Sequence, residues 1–330
     1  MKYICLIFGL VFLVGCSNKT EIKTGKLNPS FGARNHITVV IDDHLWNGEV
    51  GDSIRKKLAK VSFTLDKEEP IFDIDQFSPA IFNTKAKNAR NIVMFSNNDP
   101  YTFTLEKSLY ATPQNLFFVR AKNNSELIEN FSKHADSIVS VFRSSELNEE
   151  QHAIIRNELL DTKIVKEMFA CTIKIPTTFQ LVLKDHNFLW FQKDLPSGNC
   201  NLIMYEVPIA FIENKKDDVE SNLIKAQDSI SKIYVQGTSA NSYMITENGF
   251  FPAFRKTKIQ EFSGYEFKGV WEMENDFMSG PFVTFAIKDE YFNRYLMIEA
   301  FVNNPYKTKR DLLFEMEAII KTLNFYNNEN

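Results

Sequence analysis

The sequence predicts an α+β protein made of two halves of mostly antiparallel sheet with helices packed on the sheet faces, and three observations carry that prediction. Short β-rich runs follow one another at hairpin-like spacing, as between residues 90 and 120 and again between 171 and 207. Apolar residues three and four apart mark helices set between those groups of strands. Three times a strand is followed directly by such a helix, within 116–142, 202–233 and 296–323, which is also the pattern a diverged internal repeat would leave.

The first sixteen residues stand apart from that pattern. Lys2 supplies a positive start, Ile4 to Val14 is a nearly unbroken apolar run, and Leu13-Val14-Gly15-Cys16 closes it with small residues before a cysteine. A helix that spans a bilayer needs about 20 apolar residues, so a run of about a dozen reads instead as a cleaved signal peptide, residues 1–15. The pattern resembles the lipobox of bacterial lipoproteins, which implies acylation of Cys16 as the first mature residue. Each buried lipid CH₂ is worth about 0.8 kcal/mol, so two or three acyl chains hold firmly, and the mature chain is expected to be anchored to a membrane without spanning it.

Residues 16–34 are mostly Lys, Thr, Asn, Gly, Pro and Ser and read as a lipidated flexible tether with a root-mean-square reach of roughly 20–25 Å. An N-terminal α/β half follows over 35–147. It opens with a strand at 36–41 that ends in Asp42-Asp43-His44, then a helix face of Val50, Ile54, Leu58 and Val61. Pro70 and Pro79 make 66–82 extended or irregular; strands are expected at 90–96, 101–110 and 115–120. Leu127, Phe131, Ala135, Ile138 and Phe142 line the next helix, with Asn123 and Glu126 as its capping box. A connecting helix is expected over 148–170, starting near Asn148 with Gln151 at the capping position.

The C-terminal α+β half, 171–326, begins with four strands between 171 and 207, broken most clearly at Pro196-Ser197-Gly198. A helix with Val219, Leu223, Ala226, Ile230 and Ile233 on one face comes next. Four strands between 250 and 302 lead to a last helix whose inner side is Leu312, Met316, Ile319 or Ile320, and Leu323.

Acidic residues outnumber basic ones, 42 to 38, and no run of Lys or Arg is interleaved with aromatics, so a nucleic-acid partner is not expected. Of the four cysteines, Cys5 leaves with the leader and Cys16 is lipidated. Cys171 and Cys200 remain, on strand-like segments of a chain bound for an oxidising compartment. They are read either as a disulfide or as two buried thiols that pack as small apolar groups.

The string Val39-Val40-Ile41-Asp42-Asp43, then Trp46, Gly48 and Val50-Gly51-Asp52, then Glu69-Pro70-Ile71-Phe72 and Arg90-Asn91-Ile92, resembles a family of Bacteroidetes lipoproteins known as a domain of unknown function, DUF4837. Gly269-Val270-Trp271-Glu272, Met278-Ser279-Gly280-Pro281-Phe282 and Glu299-Ala300-Phe301-Val302 resemble its closing pattern, with Lys309-Arg310-Asp311 and Glu317-Ala318-Ile319 after them. The resemblance implies an envelope lipoprotein and brings no catalytic residues with it. Ile173-Lys174-Ile175-Pro176 with Phe188-Leu189-Trp190-Phe191 is similar to the opening of PsbP-type α/β/α sandwiches, which concerns fold alone.

The candidate residues are few. Asp42 and Asp43 follow the first strand, where loops often carry chemistry, and with Asp52, Asp73 or Asp75 nearby they could serve as acid and base or as hard-cation ligands. They serve equally well as turn formers that bond backbone N–H groups. Metal-ligand spacing does not recur, the five histidines are scattered singly, and no G-x-S-x-G elbow, P-loop or dinucleotide fingerprint is present, so neither a metal nor a cofactor is expected. Trp46, between Leu45 and Asn47-Gly48, is the aromatic expected to be most available to a ligand. The function expected is a non-catalytic binding or assembly accessory on the periplasmic face of the outer membrane, with an envelope protein or glycan as partner. The alternative is a carboxylate-dependent hydrolase acting on cell-wall or polysaccharide material.

Overall fold

The computed structural model describes residues 26–326 apart from 62–68, 248, 250 and 306, so the leader and Cys16 lie outside the described residues. The chain is α+β, as expected, with one large sheet in each half and two further two-stranded pairings.

In the first half, β1 (His36–Val40), β2 (Asp73–Phe77), β3 (Asn91–Ser96), β4 (Thr102–Lys107) and β5 (Asn115–Arg120) form a sheet in the order β2-β1-β3-β5-β4. All its pairings are parallel except β4 with β5, so the antiparallel expectation does not extend to this sheet. The reason lies in the connections. A helix or a long segment separates β1, β2, β3 and β5 in sequence, which leaves room for a crossover, whereas β4 reaches β5 through a short turn. β1 and β3 are also near-continuous apolar runs, as strands of parallel sheets tend to be.

One face of this sheet is covered by α1 (Glu49–Leu58) and α2 (Asn124–Arg156), which bury Ile54, Leu58, Phe131 and Phe142. The capping box forms, with Asn123 Oδ1 accepting from the Glu126 N–H at 3.0 Å. The helix expected to begin near Asn148 does not: α2 runs unbroken through that point, ends at Arg156, and a separate short α3 (Lys163–Phe169) follows. Polar residues there look like a cap in the sequence, yet Glu146 and Glu150 point into the protein. Glu146 takes Arg90 and Asn91 at 2.8 and 2.7 Å, and Glu150 takes Nε and Nη2 of Arg34. Tertiary ion pairs therefore replace the solvation that would favour a break.

Those contacts also shorten the expected tether. Asn28 and Pro29 pair with Ala111 and Thr112, Phe31 bridges Ala89, and Arg34 is held by Glu150, so the chain is already part of the fold before residue 34.

The second half is one eight-stranded, fully antiparallel sheet. Its strands are β6 (Gln180–Asp185), β7 (Phe188–Leu195), β8 (Gly198–Pro208), β9 (Tyr243–Thr246), β10 (Ala253–Ile259), β11 (Phe262–Glu274), β12 (Ser279–Asp289) and β13 (Arg294–Asn303). The order is β9-β11-β12-β13-β8-β7-β6, with β10 beside β9 along the same edge of β11. The predicted turn before β8 needs its glycine: Gly198 has φ +159°, and a Cβ there would lie 1.9 Å from the Asn303 carbonyl oxygen. The strand–helix unit at 116–142 belongs to the mostly parallel sheet, and the helices of the units at 202–233 and 296–323 pack into different cores of the antiparallel one, so the three units are not equivalent copies.

Helix α4 (Val219–Tyr234) covers one face of this sheet and α5 (Arg310–Ile320) the other. The inner stripe predicted for α5 is too narrow. Residues 313–320 are all buried, because the helix is packed between the sheet and α2.

Cys171 and Cys200 are free thiols in one core cluster, and burial raises both pKa values to about 12. They are not bridged: Cys200 pairs with Val302 within the eight-stranded sheet, whereas Cys171 pairs with Phe325 outside it.

Candidate functional site

The corner after β1 is used structurally. The Asp42 carbonyl accepts the N–H groups of Leu45 and Trp46 at 3.0 Å and starts a one-turn helix, Asp43–Trp46. Asp43 Oδ1 accepts from Gln76 Nε2 at 3.0 Å, and the same amide group bonds the Ile41 carbonyl. Asp52 pairs with Arg55, whose guanidinium stands 4.5 Å over the Trp46 ring and donates to its carbonyl. Trp46 is thus half-buried against the core, with one ring face covered by Arg55. Asp73 is bonded to Arg310 and His36; burial would raise its pKa, but Arg310 holds it down. The carboxylates of Asp43, Asp52 and Asp73 thus go to separate partners, Gln76, Arg55 and Arg310. No cluster of three or more His, Cys, Asp or Glu suited to a metal occurs among the described residues.

The structure draws attention to the α4 face of the eight-stranded sheet instead. A groove with a cavity volume of about 580 Å³ lies where β10, β11, β12 and β13 meet the segment after β8, within the range of small-ligand sites. Lys256 and Lys258, alternate residues of β10 and so on one face, stand at its rim. Tyr265 and Tyr295 form the floor, because their strands pair so that Lys256 faces Tyr265 and Lys288 faces Tyr295. Glu213 closes one side, accepting from the Tyr295 hydroxyl at 2.8 Å and Lys288 Nζ at 2.9 Å. The Lys288 hydrogen bond, then that of Tyr295, lowers the Glu213 pKa; burial and then Glu213 raise that of Tyr295. Lys288 is therefore neutralised, whereas Lys256 and Lys258 have no anionic partner among the described residues. Chemically, the groove offers two ammonium groups and the partly exposed ring of Tyr265.

Farther along the same face, under α4, is a sealed polar group. Glu299 lies four residues beyond Tyr295 on β13, about 13 Å away. It is fully buried, and neither carboxyl oxygen has a hydrogen-bond partner. Tyr205 Oη is equally unpartnered. Asp228 of α4 accepts from both the N–H and the hydroxyl of Thr246 at 2.8 Å, and Gln227 accepts from Thr284 at 2.7 Å. Burial, then the nearby Asp228, pushes the Glu299 pKa well up, so this carboxyl is held as the neutral acid.

None of the groove residues stands out in the sequence, because strand lysines are ordinary edge residues until a floor is seen beneath them. Glu299 does leave a trace: it is the one charged residue in the apolar run Tyr295–Val302.

The family described as a domain of unknown function, DUF4837, matches residues 158–322, from just past the end of α2 through α5. The chain belongs to the DUF4837 family. The groove and the buried acid of this DUF4837 protein both lie inside the matched region, and a second domain of unknown function, DUF8532, matches residues 30–155, the parallel-sheet half. No curated protein matches the chain. Among solved structures, a point mutant of the protein Mog1 has a TM-score of 0.32 at 8% identity, covering 48% of this chain and 92% of that one. The Saccharomyces cerevisiae Ran-binding protein Mog1p has a TM-score of 0.31 at 10% identity, covering 47% and 89%.

Proposed function

We propose that this protein is a lipid-anchored accessory of the cell envelope, held through acylated Cys16 at the outer membrane and facing the periplasm, which binds an acidic glycan in the groove beside β10 and does not turn it over. The leader and lipobox support the anchor, and no described helix is long and apolar enough to cross a membrane. The observation that carries the binding reading is the pair Lys256 and Lys258, unneutralised above Tyr265 and Tyr295 on a rigid sheet. Sugars stack on aromatic faces, and ammonium groups take carboxylates or phosphates.

A photo-crosslinking residue at Ser263, which lines the groove and leaves both lysines in place, tests this in the native host. An acidic envelope glycan should be captured by the wild-type groove and lost, by at least about tenfold, from the double variant Lys256→Glu/Lys258→Glu. Capture that is unchanged by the charge reversal, or no capture above background, overturns the reading.

A further inference from the structure

The two long helices α1 and α2 cover one face of the five-stranded sheet. Among the described residues its other face, with Val40, Ile92 and Leu116, has a thinner cover: the stretch 79–89, with single helical turns at Pro79–Ile81 and Thr84–Lys87, and the turn before β5. Mostly parallel sheets are ordinarily covered on both sides. At this surface Leu27, Phe31, Ile81 and Leu109 are 37–60% exposed. They come from three segments that the fold joins: Asn28–Pro29 pairs with Ala111–Thr112, Phe31 bridges Ala89, and Phe82 meets Tyr110 edge-on at 6.1 Å.

Charge distinguishes this surface from the rest of the molecule. The segments 26–33, 78–90 and 107–114 carry Lys26, Lys85, Lys87, Arg90 and Lys107 and no Asp or Glu, in a chain whose net charge is −4. Arg90 is spent on Glu146, and Lys87 sits over the rings of Phe82 and Tyr110 at 5.8 and 5.4 Å. An apolar patch with a cationic rim is what an anionic bilayer surface attracts.

Chain length fixes where the patch must be. Ten residues separate Cys16 from Lys26, which at about 3.5 Å each reach about 35 Å at most. Resting on the lipoprotein reading above, we propose that the face around Leu27, Phe31, Ile81 and Leu109 docks on the bilayer from which acylated Cys16 suspends the protein. The apolar side chains enter the headgroup layer, and the lysines meet anionic headgroups.

Spin labels on the full-length acylated protein test the geometry. Cys171 and Cys200 are buried and escape labelling, so Ile81→Cys, Leu109→Cys and Ile233→Cys report single sites; Ile233, 60% exposed on α4, matches Ile81 in exposure but lies on the far side of the other sheet. In vesicles of phosphatidylethanolamine with phosphatidylglycerol, labels at 81 and 109 should be severalfold less accessible to a water-soluble nickel chelate than the label at 233. Lys85→Glu/Lys87→Glu should reduce that protection, each charge being worth about fivefold in membrane partition. Mass spectrometry of the same sample reports Cys16. If Cys16 is acylated and all three labels are equally accessible, the docking face is wrong and the anchor stands; if Cys16 is bare while 81 and 109 are protected, the face stands and the anchor reading falls.

Discussion

Glu299 has both carboxyl oxygens buried and unbonded in the middle of β13. A buried ionised carboxylate without partners costs several kcal/mol, so the folded chain keeps the proton that the unfolded chain loses above its ordinary value of 4.5. The sign follows: with the folded pKa raised, this group's contribution is complete below about 4.5 and declines as pH rises towards the folded value. Glu299→Gln keeps the shape and removes the titration. The variant's melting temperature should exceed that of wild type by more at pH 8 than at pH 5, as thermal melts would show; parallel curves would mean that Glu299 is charged and paired.

At the scale of elements, α5 starts without a cap of its own, since Lys309 at the N-cap makes no side-chain capping bond. Glu69 of the first half supplies one. Its carboxylate accepts the N–H of Lys309 at 2.8 Å and that of Arg310 at 2.9 Å, where the helix dipole also favours a negative charge. Arg310 reinforces the join through Asp73 and the Pro70 carbonyl. Glu69→Ala should therefore cost about 1–2 kcal/mol, read as a lower urea midpoint with an unchanged slope. The cap was invisible from the sequence, because donor and acceptor are 240 residues apart. By contrast, the Asn123–Glu126 box was legible, since both of its partners lie within one turn.

Across the whole molecule, the two halves meet on Glu317 of α5. It is buried and takes Arg143 of α2 at 2.6 Å, Lys268 of β11 at 2.6 Å and Lys321 at 3.1 Å. Burial would raise its pKa, but Lys268, Arg143 and Lys321 outweigh that and hold it well below the ordinary value. Here the sign is opposite to that of Glu299: the stabilisation is complete above about 4.5 and is lost as pH falls through the depressed value. Glu317→Ala leaves these cations without their shared anion and should cost about 3–5 kcal/mol. The acid-unfolding limb of the pH profile should flatten in the variant, which urea titrations at pH 3 to 7 would detect.

By itself the sequence determined the things that are local. The apolar periods placed most strands and helices, and local residue types placed the Pro196-Ser197-Gly198 turn, because each depends on neighbours a few residues away. Tertiary structure decided whatever depends on a distant partner. It kept α2 continuous past Asn148 by pairing Glu146 and Glu150 across the fold, buried Cys171 and Cys200 as free thiols in one core, and tied Asp43 into a turn through Gln76. It also assembled the groove from residues spread between 213 and 295, a range over which no spacing rule operates because register, not sequence, brings those side chains together.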